Sequence, residues 1–192
     1  MSFLTTLKNN TKVAHIRVEK VMVKEIKSIS CLEHYARLLE RLFLFYNPLE
    51  CKVHQSLNHS ILPDIDKRKH TNWILEDLDV LGYTINTSNY YKTQHITSIS
   101  YAVGVLYVME GSTMGGQIIS KMVKKQLETD INTHYFDSYR DKTMEMWLSF
   151  KNSITQYETQ LDHEEVFNGA NETFSALKKW LELTSILESI SE

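Results

Sequence analysis

The sequence predicts a single all-α domain of six to eight helices, and three observations carry that expectation. Apolar residues recur at helical spacing through nearly the whole chain. Only two prolines occur, Pro48 and Pro63, both between residues 46 and 64. Hydrophobic residues make up 42% and charged residues 23% of the 192, a balance that fills one ordinary core and fits one domain, 1–192.

In chain order, the spacing predicts helices at about 4–27, 31–45, 50–60, 64–81, 95–127, 135–160 and 163–188, with the prolines in the gaps. The first helix sets Leu7, Thr11, Ala14, His15, Val18 and Met22 along one stripe. The fourth starts after Asp64, carries Ile65, Trp73, Leu75, Leu78 and Leu81, and closes at Gly82 as a C-terminal cap. Residues 83–94 are rich in polar turn formers and read as a connecting loop. The last helix places Phe167, Ala170, Phe174, Leu177, Leu181 and Ile186 at core spacing.

Composition excludes several classes. A net charge of −3 argues against a general nucleic-acid binder. No run reaches the roughly 18 apolar residues that suggest a membrane span. The start, Met1 to Lys8, has neither a basic nor a long apolar export region. Cys31 and Cys51 lack metal or redox spacing and read as reduced thiols, small buried hydrophobes rather than nucleophiles. The expectation is a soluble cytoplasmic protein, monomer or homodimer.

Two segments carry the chemistry. Gly111, Gly115 and Gly116 fall within six residues, inside an apolar run that otherwise reads as a buried helix. Each interior glycine costs roughly 1 kcal/mol against alanine. Bare backbone there allows close approach of another helix, a kink, or a flat ligand lying on the main chain. Near the N-terminus, Lys8, Thr11, Lys12, His15 and Glu19 share one side of a helix. An imidazole there can ligate a heme iron, with lysines meeting the propionates and Glu19 orienting the ring. On spacing alone, a lone helical histidine is more often a surface or satisfied core residue, and lysines one turn apart usually just face water. His34, His54, His59, His70, His95, His134 and His163 show no paired-ligand spacing and read as surface residues.

Taken together, the two segments resemble the heme oxygenase family, and most closely its bacterial biliverdin-forming branch found alongside phytochromes. The run from Leu106 to Gln117 is similar to that branch's distal helix, and Lys8, Thr11, Lys12, His15 and Glu19 to its proximal helix. Weaker likeness extends through Trp73 to Gly82, Trp147 to Phe150 and Ala170 to Leu181.

The resemblance implies a helical bundle that clasps heme between a proximal helix and a glycine-kinked distal helix. It makes His15 the iron ligand and Gly111, Gly115 and Gly116 the distal wall. Lys8 and Lys12 become propionate contacts, with Lys151 a further candidate, and Phe174 a pocket aromatic. Ser112 stands where animal members carry a distal aspartate, and Leu106 where they carry a tyrosine. The implied activity is opening of heme to biliverdin, carbon monoxide and ferrous iron, using O2 and electrons from a ferredoxin or flavin reductase. Lys121, Lys124 and Lys125 are candidate docking cations for that donor. Loss of the distal carboxylate keeps a second reading open, a heme-binding or regulatory relative without turnover. A di-iron site lacks its paired Glu-x-x-His segments, and a plain helical interaction domain would use the glycines for packing alone.

Overall fold

The computed structural model describes residues 2–68, 70–87, 90–93 and 95–191, with side chains through residue 185. The loop residues Ser88, Asn89 and Gln94 and the side chain of Ile186 lie outside the described residues. Among the described residues there are six α-helices and no strand: α1 (Phe3–Ser28), α2 (Leu32–Ser56), α3 (His70–Val80), α4 (Ile99–Leu127), α5 (Thr143–Tyr157) and α6 (His163–Ser191). The fold is the all-α bundle that the periodicity predicts.

Helix boundaries differ from the sequence reading in three places, each for a physical reason. Two predicted helices, 31–45 and 50–60, are one, because α2 runs straight through Pro48. A proline removes the N–H that would reach the carbonyl four residues back. That carbonyl, Leu44 O, instead accepts from Tyr91 N–H at 3.1 Å. The 83–94 loop thus supplies the missing donor.

The predicted 64–81 helix splits into a single 3₁₀ turn, Ile65–Lys67, and α3. Glu50 takes over the start of α3: its carboxylate accepts from His70 N–H at 2.6 Å and Thr71 N–H at 3.3 Å. An anion at a helix N-terminus is favourable in its own right. Gly82 ends this helix at φ +63°, as its residue type predicts. Leu75, however, is exposed, and the buried stripe of α3 runs through Ile74 and Leu78.

The third difference lies before α5, which begins at Thr143 rather than near 135. Asp77 captures the backbone N–H groups of His134 at 2.8 Å and Tyr135 at 2.9 Å. Ser120, Thr133 and Asp137 interlock beside them. These bonds hold 132–139 against α3 and α4 in turns, not in a helix.

The glycines of α4 divide sharply. A Cβ at Gly104 would stand 2.2 Å from Val166 O and 2.8 Å from Ala170 N. One at Gly169 of α6 would stand 2.4 Å from Tyr101 O. The α4–α6 crossing is therefore backbone on backbone. Gly116 is filled in the same way by Phe136 O, 2.0 Å from its Cβ direction. Gly115 has nothing within 4 Å, and Gly111 meets only the ring edge of Trp147 at 3.9 Å. Both thiols, Cys31 and Cys51, are exposed, against the buried placement expected of them.

Two substitutions separate these classes in thermal unfolding of the ligand-free protein. Gly104→Ala is expected to destabilise by about 3 kcal/mol or to prevent folding, because the clash is with main chain that cannot rotate away. Gly115→Ala is expected to be neutral or to stabilise by up to about 1 kcal/mol, the ordinary gain at an unobstructed helix position.

Candidate heme site

His15 stands on the outer face of α1, exposed, with its ring against Phe174 of α6 at 5.4 Å between centroids. No hydrogen bond to another described residue holds the imidazole. Lys8 and Lys12 are exposed on the same side and form no ion pair among the described residues. Glu19 is exposed too and does not bond to His15, so the orienting contact expected of it is absent. Phe174 provides the backing instead.

Thr11 is not a ligand contact. It is 2% exposed, and its hydroxyl donates to Leu7 O at 2.8 Å, the local bond that serine and threonine form inside helices. It also reaches Lys8 O at 3.3 Å and bonds with the phenol of Tyr107 on α4. Burial raises the Tyr107 pKa, and the hydrogen bond with Thr11 opposes it. This contact joins the two chemistry-bearing helices one turn before His15 on α1 and one turn before Gly111 on α4.

On α4 the open backbone of Gly111 and Gly115 is flanked by exposed Met114 (38%) and Ile118 (66%). On α5, Met144 and Leu148 are 54% and 44% exposed, beside Trp147. Lys151 Nζ lies 5.6 Å from the Trp147 ring centre, which places it near this margin. So many large apolar side chains left bare around open backbone indicate a surface built to be covered. Gly116 is a correction to the expected wall, since its bareness serves Phe136. Ser112 is exposed, but its hydroxyl donates to Met109 O at 2.6 Å, turned back onto its own helix.

Behind this wall lies a polar cluster that sequence reasoning missed. Glu110, wholly buried, accepts from Arg68 Nη1 and from Tyr139 OH at 2.9 Å, and stands 3.1 Å from His70 Nε2. Arg68, also wholly buried, donates to Asp64 at 2.8 and 2.9 Å and to Met146 O at 3.1 Å. His70 is 3% exposed, not a surface residue, with Nδ1 3.3 Å from Glu50. Burial opposes its charge, but Glu110 and then Glu50 outweigh that and raise the imidazole to about 9. The signal available was a lone Glu in the apolar run before Gly111, which requires a buried cation as partner.

One surface hollow, about 430 Å³, is lined by Lys124, Asp137, Arg140 and neighbours and includes none of the expected site residues. A smaller one, about 290 Å³, lies against the proximal helix between Ala14, Arg17, Ser175, Lys178 and Lys179.

The parts fit a heme: an unbonded imidazole backed by an aromatic ring, unpaired ammonium groups beside it, and bare main chain within an apolar margin. A heme oxygenase family profile matches residues 1–183. The chain belongs to the heme oxygenase family. It is 23% identical to heme oxygenase PigA of Pseudomonas aeruginosa over 176 residues, covering 91% of this chain and 88% of that one. The fold matches the NO- and CO-bound heme oxygenase of Neisseria meningitidis with a TM-score of 0.75 and 21% identity, over 96% and 92% of the two chains. It also matches the heme complex of Synechocystis heme oxygenase-1 at 0.69 and 20%, over 100% and 96%. Among the described residues no helix is long and apolar enough to cross a membrane.

The raised pKa of His70 has a stability consequence with a definite sign. Its folded value lies above the unfolded 6.5, so the protonated cluster stabilises fully below pH 6.5 and loses that contribution as pH rises through about 9. Denaturant unfolding at pH 6, 8 and 10 is expected to show the gap between wild type and His70→Asn narrowing by roughly 3 kcal/mol.

Proposed function

We propose that this heme oxygenase binds heme between His15 and the Gly111–Gly115 wall and opens it oxidatively to biliverdin, carbon monoxide and ferrous iron. The observation that carries this reading is the split among the glycines. Gly104 and Gly116 are consumed by packing, whereas Gly111 and Gly115 are bare without any packing need. A helix–helix device would have closed over them.

Heme supplies the redox chemistry as substrate and reactive group together. The chain's own residues bind, orient and exclude. His15 would offer one ring nitrogen to the iron, and Phe174 limits how far that ring can turn. Lys8 and Lys12 stand where two propionates can be neutralised. Gly111 and Gly115, bare of side chains, would let the macrocycle approach the α4 backbone. Ser112 keeps its oxygen lone pairs free to accept from water while its proton is held by Met109 O. That engagement favours, as a second reading, a protein that holds heme without turning it over.

Electrons must come from outside, and the surface favours an acidic donor such as a ferredoxin. On α1, Lys8, Lys12, Arg17, Lys20, Lys24 and Lys27 are exposed, with Glu19 the one exposed acid. Lys179 of α6 extends this face across the hollow beside Ala14, where its neighbour Lys178 is paired with Glu182 at 2.7 Å. The face is strongly positive on a chain of net charge −3. Lys124, one of the docking cations expected after the distal helix, is already paired with Asp130 at 2.8 Å. The unpaired exposed thiols suit the reducing cytoplasm, where we place the reaction.

Hemin titration is expected to give a Soret band that His15→Ala shifts or removes, and a reductant is expected to replace it with a biliverdin band. A ferrous spectrum that persists through repeated reduction in oxygenated buffer would establish the binding-only reading.

Arg17→Glu with Lys179→Glu is expected to slow turnover driven by an acidic ferredoxin at least tenfold at low salt. The same variant should run normally on ascorbate. Greater slowing by Lys121→Glu with Lys125→Glu would move the docking face to the distal side.

A further inference from the structure

Gly111 and Gly115 present a mechanical difficulty. On the face that Gly111 and Gly115 share, α4 has no side chain to interlock with a neighbour, so the setting of that face needs another source. The buried cluster supplies one. Glu110 immediately precedes Gly111, and Met146 immediately precedes Trp147, the side chain nearest the Gly111 backbone. Arg68 grips both: Nη1 donates to the Glu110 carboxylate and Nη2 to the Met146 carbonyl at 3.1 Å. The guanidinium also lies 5.8 Å from the Phe150 ring centre. Asp64, bound to Arg68, accepts from Ser149 OH at 2.9 Å. Tyr139 closes the other side of Glu110 at 2.9 Å. One buried guanidinium, bonded through all three of its nitrogens, thus ties α4 at Glu110 to α5 at Met146.

We propose that Arg68 and Glu110 are positioning residues for ring opening: by tying α4 at Glu110 to α5 at Met146 they fix the Gly111 wall of the slot that faces His15, and with it which edge of the bound heme is offered to attack. Hydrogen bonds suit this task better than apolar contact, because they are directional and a helix turned by one residue loses them. The inference rests on the heme oxygenase reading for its chemistry but not for its geometry. A small change in this slot alters seating, not merely stability, since a displacement of about 1 Å can cost on the order of a hundredfold in a positioned reaction.

The test uses Arg68→Lys, Glu110→Gln, and the milder double variant Tyr139→Phe with Ser149→Ala, which loosens one bond at each end. Three quantities are measured: the melting temperature, the hemin dissociation constant at the Soret band, and the ratio of biliverdin isomers by chromatography. Folded variants are expected to keep the His15-dependent Soret band, to bind hemin roughly tenfold more weakly, and to give an isomer ratio different from wild type. A lowered melting temperature with wild-type hemin affinity and isomer ratio would show the cluster to be structural only and would overturn the proposal. Should the Arg68 and Glu110 variants fail to fold, the double variant decides by the same criteria. Should wild type form no bilin, the activity reading falls, while hemin affinity across the variants still decides whether the cluster sets the slot.

Discussion

Everything in this bundle depends on main chain touching main chain where α4 crosses α6. Gly104 and Gly169 let the two helices meet without intervening side chains, closer than any other residue type would permit. The crossing fixes α4 against α6, and α6 carries Phe174 to the back of His15. The same helix packs along α1, where Phe3 sits 6.0 Å from Phe167. α6 therefore holds α4 by its backbone and α1 by its aromatic face, which sets the relation of the two helices proposed to clasp heme.

A second consequence is a division of labour among residues that look alike. Glycine at 104, 116 and 169 is demanded by a neighbour; glycine at 111 and 115 is demanded by nothing within the chain. Threonine at 11 and serine at 112 both turn back onto their own helices, so neither hydroxyl proton is offered outward. Charged groups divide too. Arg68, Glu110 and His70 lie inside, mutually compensated, while the cations of α1 face water. Removing one member of the buried group would strand the rest at a cost of several kcal/mol, whereas surface cations contribute little to stability.

The helical class, the capping role of Gly82, and the pairing of a histidine helix with a glycine helix were legible in the sequence. Periodicity and residue type carry those signals locally. What could not be read depended on partners far along the chain. Nothing near Pro48 announces that Tyr91 N–H will satisfy Leu44 O. Residues 135–142 have helical spacing, but Asp77, nearly sixty residues earlier, takes their first donors. Arg68, His70 and Glu110 are each unremarkable alone, and become a cluster only when α3, α4 and α5 converge. Likewise the space around a glycine is a tertiary fact, which is why Gly116 and Gly115 cannot be told apart by sequence.

The bare margin formed by Met114, Ile118, Met144 and Leu148 bears on the life of the protein before it meets its substrate. Without a macrocycle, these side chains keep greasy surface in contact with water and with other proteins. Heme seated at the proposed site would shield that surface and draw the unfolding equilibrium toward the native form by mass action. On the proposed site, the ligand-free chain is thus the form more open to association and to unfolding.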